Sequence, residues 1–167
     1  MGEDRSPPRA GAITFRPMRQ EDEDFLYEVY ASTRRDELAH VGWSDVEREA
    51  FLRMQFTAQQ WSYRAQFPAA DFQIILWHER PIGRLYLQHG SDEIRGIDIA
   101  LLPAYRQAGI GTAILQDRLD EAARQGKLFR LHVAKSNRAR RLYERLGFTA
   151  VRDDGVYLFM EWSPKDR

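Results

Sequence analysis

Between Asp71 and Leu102 three β-rich runs follow one another almost without interruption: DFQIILW, PIGRLYLQHG and EIRGIDIALL, separated only by HER and GSD. Connections this short suit hairpins and leave no room for a crossover, so the three runs are expected to pair as an antiparallel meander. A sheet begun in this way has faces to bury, and the rest of the chain must supply the elements that cover them.

The flanking segments do so. Residues 1–11, MGEDRSPPRAG, read as a loose polar tail rather than a signal peptide. Gly2 with Ser6 fits the myristoylation spacing, but Glu3 and Asp4 fit it poorly. AITFRPM alternates and reads as a first strand ending at Pro17. Phe25, Leu26, Val29 and Tyr30 recur at helical spacing, and a second helix is expected from Ser44, a cap three residues before Glu47, with a break near Gly42 and an end at Phe67-Pro68. After the meander, GTAILQDRLDEAARQGK carries Ile114, Leu115, Leu119, Ala122 and Ala123 on one helical face, stopped by Gly126. LFRLHVA reads as a strand, SNRARRLYERLG as a short helix ended by Gly147, and FTAVRDDGVYLFMEW as a hairpin turning at Asp154-Gly155. The order is strand, two helices, three strands, helix, strand, helix, two strands: a mixed α/β (α+β) sheet with helices on its faces, over residues 12–167 as one domain.

Charge and composition narrow the chemistry. Lys and Arg number 25 and Asp and Glu number 25, so no global field draws the chain to nucleic acid or to an anionic membrane, and an anionic ligand must be held locally. No apolar run approaches a membrane span. The absence of cysteine removes disulfides, thiolate metal ligands and thiol nucleophiles, and fits a reducing, cytoplasmic setting. His40, His78 and His89 stand among turns and loops with no carboxylate at ligand spacing, so no metal site is expected.

YRQAGIGTAIL is the segment with a ligand to explain. It joins the strand IDIALL to a helix beginning near Gly111, and such turns aim unpaired amides at one point with the helix dipole behind them. Gly109 and Gly111 add conformational freedom and leave no Cβ in the way of a bulky anion. The dinucleotide pattern fails because Ile114 stands where its third small residue belongs, and the mononucleotide pattern fails because no lysine precedes Thr112. Two readings remain: an anion site, or a turn whose glycines let helix and strand pack closely.

Arg106-x-x-Gly109-x-Gly111, preceded by an apolar strand and Leu102-Pro103, resembles the acyl-CoA signature [R/Q]-x-x-G-x-[G/A] of the GNAT superfamily of N-acetyltransferases. Asn137, Ala139, Leu142-Tyr143 and Gly147-Phe148 resemble that family's N-x-x-A-x-x-L-Y-x-x-x-G-F block, with one residue, Arg138, between Asn137 and Ala139 where the block has two, and the two signatures lie in the right order and spacing. The resemblance runs from about Ala12 to Trp162. It implies a mainly antiparallel sheet of about seven strands with about four helices, whose central strands IDIALL and LHVA splay apart around the pantetheine arm of acetyl-CoA. It further implies that Leu101 and Leu102 offer backbone groups to the pantetheine, that Arg106 and the amides of Gln107, Ala108, Gly109, Ile110, Gly111 and Thr112 hold the pyrophosphate, and that Asn137 fixes the cofactor arm. Asn137 equally suits a helix N-cap.

The same resemblance implies direct attack of an amine on the thioester, with no acyl-enzyme; the chain has no cysteine and no G-x-S-x-G elbow to argue otherwise. Tyr143 matches the family's proton donor to the departing thiolate, and with a reference pKa of about 10 it is protonated at neutral pH. Asp98, which interrupts the apolar strand IDIALL, is the candidate base, with an ion pair to Arg84 or Arg95 as the alternative reading. His132, between Leu131 and Val133, is either a second base or a core histidine, and water is a third candidate base. Tyr27, Tyr30, Arg34, Glu37, Trp43, Trp61, Tyr63 and Arg64 make up the aromatic and charged segment from which an acceptor wall would be drawn, or else they are core. The acceptor implied is an amine on a small molecule, peptide or protein. A catalytically silent acyl-CoA sensor of the same fold and a homodimeric state both stay open.

Overall fold

The computed structural model describes residues 12–164; the expected tail and the Gly2–Ser6 pattern lie outside them. The elements are β1 (Ile13–Pro17), α1 (Glu23–Leu38), α2 (Asp45–Gln66), β2 (Asp71–Trp77), β3 (Arg80–His89), β4 (Glu93–Leu101), α3 (Ile110–Arg124), β5 (Leu128–Ala134), α4 (Ala139–Arg145), β6 (Thr149–Asp153) and β7 (Tyr157–Trp162). Short 3-10 turns at Gln20–Asp22 and Pro103–Tyr105 lead toward α1 and α3. The strands form one sheet of order β1-β2-β3-β4-β5-β7-β6. All neighbours are antiparallel except β4 and β5.

Local chemistry accounts for the ends of these elements. Ser44 and Glu47 form the reciprocal cap of α2: the Glu47 amide donates to Ser44 Oγ at 3.2 Å, and the Ser44 amide donates to Glu47 Oε2 at 2.7 Å. At the entry to α1, Arg16 grips the buried carboxylate of Asp22 through two bonds of 2.7 and 2.8 Å, and the Arg19 amide adds a third of 2.8 Å. The Arg16 bond is the largest cause holding Asp22 below the usual carboxylate range.

The pleat then divides the apolar residues between two faces. On one, Ile75, Ile82, Leu85, Leu87, Ile94, Phe129, Leu131 and Val133 pack with Ile114, Leu115, Leu119 and Ala122 of α3 and with Tyr143 of α4. On the other, Ile74 and Tyr86 pack with Leu26, Tyr27, Tyr30 and Ala31 of α1 and Leu52 and Phe56 of α2. Each fully buried aliphatic or aromatic side chain contributes about 1.5–3 kcal/mol, so the two clusters clamp the sheet from both sides.

One irregularity positions everything that follows. The register of β3 on β4 slips between Tyr86 and Leu87, where Tyr86 faces Asp98 and Leu87 faces Gly96, leaving Ile97 as the extra residue of a bulge. The parallel ladder of β4 on β5 runs from Glu93↔Leu128 to Gly96↔Leu131 and stops there. From Ile97 onward β4 leaves β5, and a gap opens in the middle of the sheet.

Candidate active site

The gap is a slot through the sheet, lined by Gly96, Ile97, Asp98 and Ile99 of β4, Leu131 and His132 of β5, Leu115 of α3 and Tyr143 of α4. It therefore meets both faces: Leu115 and Tyr143 come from the α3/α4 side, and Asp98 is held by α2 from the other. The Leu102 amide donates to Ile82 O at 2.8 Å. In an antiparallel ladder alternate residues turn their backbone groups to opposite sides, so Ala100 also faces β3. Ile99 and Leu101 then present theirs to the slot, where β5 has withdrawn. Ile99, which the sequence reading did not single out, thus shares with Leu101 the edge that an added strand would pair with, while the Leu102 amide is already used.

The glycine turn joins β4, which borders the slot, to α3, whose Leu115 lines it. Gln107 and Gly109 both take the left-handed conformation, with φ of 59° and 79°, and α3 begins at Ile110, one residue before the expected start. The Gly109 carbonyl accepts from the Ala113 amide at 3.0 Å. The amides of Gln107 through Thr112 donate to nothing among the described residues, which leaves a concave row of donors at a helix N-terminus. A Cβ built on Gly109 or on Gly111 meets nothing within 4 Å. Close packing of helix on strand is therefore not why these glycines are there. Gly109 is required by its backbone angle; Gly111, inside the helix, is required by nothing in the chain itself.

Arg106 does not point into this row. Its Nε donates to Leu101 O at 2.9 Å and its Nη2 to Ser32 Oγ of α1 at 3.0 Å, tying the turn back to β4 and α1. Asn137 Oδ1 accepts from the Ala139 amide at 2.9 Å and so acts as a cap for the start of α4. That bond leaves its amide nitrogen free for another partner.

Asp98 is the best-connected polar group of the slot. Its Oδ2 accepts from Arg84 Nη2 at 2.7 Å and from the Tyr63 hydroxyl at 3.0 Å, and Arg84 Nη2 also donates to Gln59 Oε1 at 3.0 Å. The Arg84 side chain is only 3% exposed and that of Asp98 15%. Both readings of Asp98 hold in the geometry: it is ion-paired to Arg84, not Arg95, and it lines the slot with Oδ1 free of these bonds. Arg84 Nε and Nη1 are buried without a partner among the described residues, a costly arrangement that the fold alone does not call for. Tyr63 belonged only to a broad acceptor wall in the sequence reading; burial, then the Asp98 charge, pushes its phenol far above the ordinary value.

Tyr143 is 7% exposed. Its hydroxyl has no hydrogen-bond partner among the described residues, and burial followed by the Asp98 charge pushes its pKa up to about 12. His132 is exposed, not a core residue, because Leu131 and Val133 take the inward positions on either side. Arg95 Nη2 lies 2.7 Å from His132 Nδ1. A guanidinium can only donate, so Nδ1 accepts and the ring is neutral. Burial, then the charges of Arg95 and Arg152, lower its pKa. Of the expected acceptor wall, Tyr27 and Tyr30 are core, Trp61 stands out at 74% exposure, and Trp61 and Arg64 line a second cavity with Met18, Arg19, Gln20 and Glu23. Among the described residues no cluster of His, Cys, Asp or Glu could hold a metal, and no helix is long and apolar enough to cross a membrane.

Comparison with known proteins bears on this arrangement. Residues 24–148 match the model of the acetyltransferase (GNAT) family. A PaiA N-acetyltransferase from Thermoplasma acidophilum, solved in complex with coenzyme A, superimposes with a TM-score of 0.67 at 22% identity over 90% of this chain and 98% of that one. The ribosomal-protein-S18-alanine N-acetyltransferase of Escherichia coli gives a TM-score of 0.58 at 23% identity over 90% of this chain and 93% of its own. RimJ of Mycobacterium smegmatis, in complex with CoA-disulfide, gives 0.62 at 18% identity over 96% and 86%. No curated protein matches by sequence.

Proposed function

The chain belongs to the acetyltransferase (GNAT) family, and from that membership we propose that residues 12–167 form one N-acetyltransferase domain. It moves the acetyl group of acetyl-CoA directly onto a primary amine of a small molecule, peptide or protein, in the cytoplasm. The observation that carries the reading is the row of amides from Gln107 to Thr112, unpaired among the described residues, in the turn between β4 and α3, both of which border the slot that contains Tyr143 and Asp98. Solved structures of the same fold hold coenzyme A or CoA-disulfide.

In this reading the amide row and the dipole of α3 hold the pyrophosphate, and open space at Gly111 leaves it room. The backbone edge of Ile99 and Leu101 pairs with the pantetheine arm, and Asn137 steadies it from α4. Arg106 keeps the turn in register through Leu101 and Ser32 rather than contacting phosphate. Acetyl-CoA supplies an activated thioester; the chain supplies position and proton movement.

The slot is lined from both faces of the sheet, and in this reading donor and acceptor meet within it from opposite sides. As the C–N bond forms and the C–S bond breaks, the amine proton leaves to Asp98 Oδ1, directly or through water. Tyr63 and Arg84 fix that carboxylate through its other oxygen. The departing sulfur takes a hydrogen bond from Tyr143. A phenol at about 12 facing a thiol that ionises at about 8.5 favours a shared hydrogen bond over full proton transfer, so Tyr143 stabilises the thiolate as charge develops. His132, with Nδ1 engaged by Arg95, has no lone pair free to act as base.

The test is acetyl-CoA binding by calorimetry, followed by thiol release against a panel of small amines and peptides. Saturable binding with amine-dependent release of CoA is expected. Absence of binding at millimolar acetyl-CoA removes the reading.

A further inference from the structure

On the face of the sheet that carries Asp98, the residues flanking the slot on β4, β5, β6 and β7 form a cationic platform. The Phe159 ring lies at its centre. The Arg95 guanidinium is 4.7 Å and the Arg152 guanidinium 4.9 Å from the ring centroid, and the His132 ring lies against it at a tilt of 41° with centroids 4.7 Å apart. Arg95 Nη2 reaches His132 Nδ1 at 2.7 Å, and Arg152 Nη2 stands 3.5 Å from Nε2. Two guanidinium groups therefore converge on one ring and one imidazole.

Among the described residues no carboxylate pairs directly with either of them, and Glu93 acts on Arg95 only from beyond ion-pair distance. The carboxylates around the platform are committed elsewhere: Glu93 and Glu161 to Arg130 at 3.0 and 2.8 Å, Asp153 to Lys135 at 2.6 Å, and Asp154 to the amides of Val156 and Tyr157 at 3.0 and 2.7 Å. Neither Arg95 nor Arg152 has a carboxylate partner among the described residues. Holding like charges together without a counterion is unfavourable, and a planar guanidinium pair is suited to an oxyanion. His132 ties the platform to the reaction, because it also lines the slot with Asp98 and Tyr143.

We propose that Arg95 and Arg152, with Phe159 and His132 beneath them, bind a carboxylate carried by the acceptor, so that the substrate class is an amine bearing an acidic group. This rests on the transferase reading above and adds to it the chemistry of the acceptor. The carboxylate sits on the outer strands while the amine enters the slot beside Asp98, and the platform thereby orients the acceptor.

The test compares two matched pairs of acceptors: Ala-Asp-Ala amide against Ala-Asn-Ala amide, and β-alanine against its amide, so that peptide and small-molecule sources are separated. In at least one pair the carboxylate member should show kcat/KM about tenfold higher, the size of one charge-assisted contact. Arg95→Gln with Arg152→Gln should erase that preference through KM, and Arg95→Lys with Arg152→Lys should keep part of it. If the double glutamine variant fails to fold by circular dichroism, Arg152→Gln alone, on the exposed strand β6, should reduce the preference. Absence of acetyl-CoA binding overturns the transferase reading and this inference with it. Binding with no carboxylate preference in either pair, or a preference that survives in the folded glutamine variants, overturns this inference alone.

Discussion

Replacing Gly111 separates two explanations of the glycine turn. If the glycine serves the fold, a methyl group there must harm the fold; if it serves a ligand, only binding should suffer. Gly111 lies in the first turn of α3 outside the left-handed region, and an added Cβ meets nothing within 4 Å. Alanine is favoured over glycine in a helix by up to about 1 kcal/mol. Unliganded Gly111→Ala should therefore melt at the wild-type temperature or up to about 3 °C above it. The methyl would stand in front of amides with no other partner, and displacing an anion from one charge-assisted bond loses about 1.5–3 kcal/mol. That is a 10- to 100-fold rise in the Kd for acetyl-CoA, larger again for Gly111→Val. Thermal melts without ligand and calorimetry with acetyl-CoA measure the two effects separately. A folded Gly111→Val protein with undiminished affinity, or a Gly111→Ala protein that melts several degrees early, would overturn the assignment of Gly111 to a ligand.

Tyr143→Phe should lower kcat by roughly 10- to 100-fold, the loss of one donor to a developing charge, with acetyl-CoA affinity nearly unchanged; an unaltered rate removes Tyr143 from the reaction. Because the Tyr143 pKa is raised to about 12, its proton is present throughout the range in which amine acceptors lose theirs, so kcat should rise toward pH 10 without a descending limb, and a fall that begins near pH 9 contradicts this. Asp98→Asn leaves Arg84 buried without its counter-charge and should cost about 3–5 kcal/mol in a denaturant titration, whereas Asp98→Leu with Arg84→Met should recover stability and not activity. Asp22 is held below its ordinary value by Arg16, so its contribution to stability is complete above about pH 4 and is lost as pH falls through the depressed value. Acid unfolding followed by circular dichroism should lose this component in Asp22→Asn, and an unchanged acid limb would show that the pair contributes nothing.

The parts of this molecule legible in its sequence are those governed by neighbours along the chain. Short connections dictated the meander β2-β3-β4; Ser44 and Glu47 marked the start of α2; Gly126, Gly147 and Gly155 all take positive φ where a helix stop or hairpin was expected. Asp98 and Tyr143 stood out because one breaks an apolar strand and the other completes a motif, and both line the slot. What the sequence hid depends on distant partners. The bulge at Ile97 arises from the pairing of β3 with β4 and leaves no local mark, yet it sets where the sheet opens. Tyr63 reaches Asp98 from a separate helix, and Arg106 turns toward Ser32 of α1. The charged platform needs β4, β5, β6 and β7 side by side before Arg95, His132, Arg152 and Phe159 become neighbours. The outward position of His132 was readable in principle, since strand alternation assigns Leu131 and Val133 to the core.

The central claim is that the amides from Gln107 to Thr112 hold the pyrophosphate of acetyl-CoA. A titration of the uniformly 15N-labelled protein with acetyl-CoA, followed amide by amide, tests it directly. These amides, and that of Leu101 on the slot edge, should shift most and saturate together. Saturable binding that leaves Gln107 to Thr112 unmoved while another surface responds would contradict it.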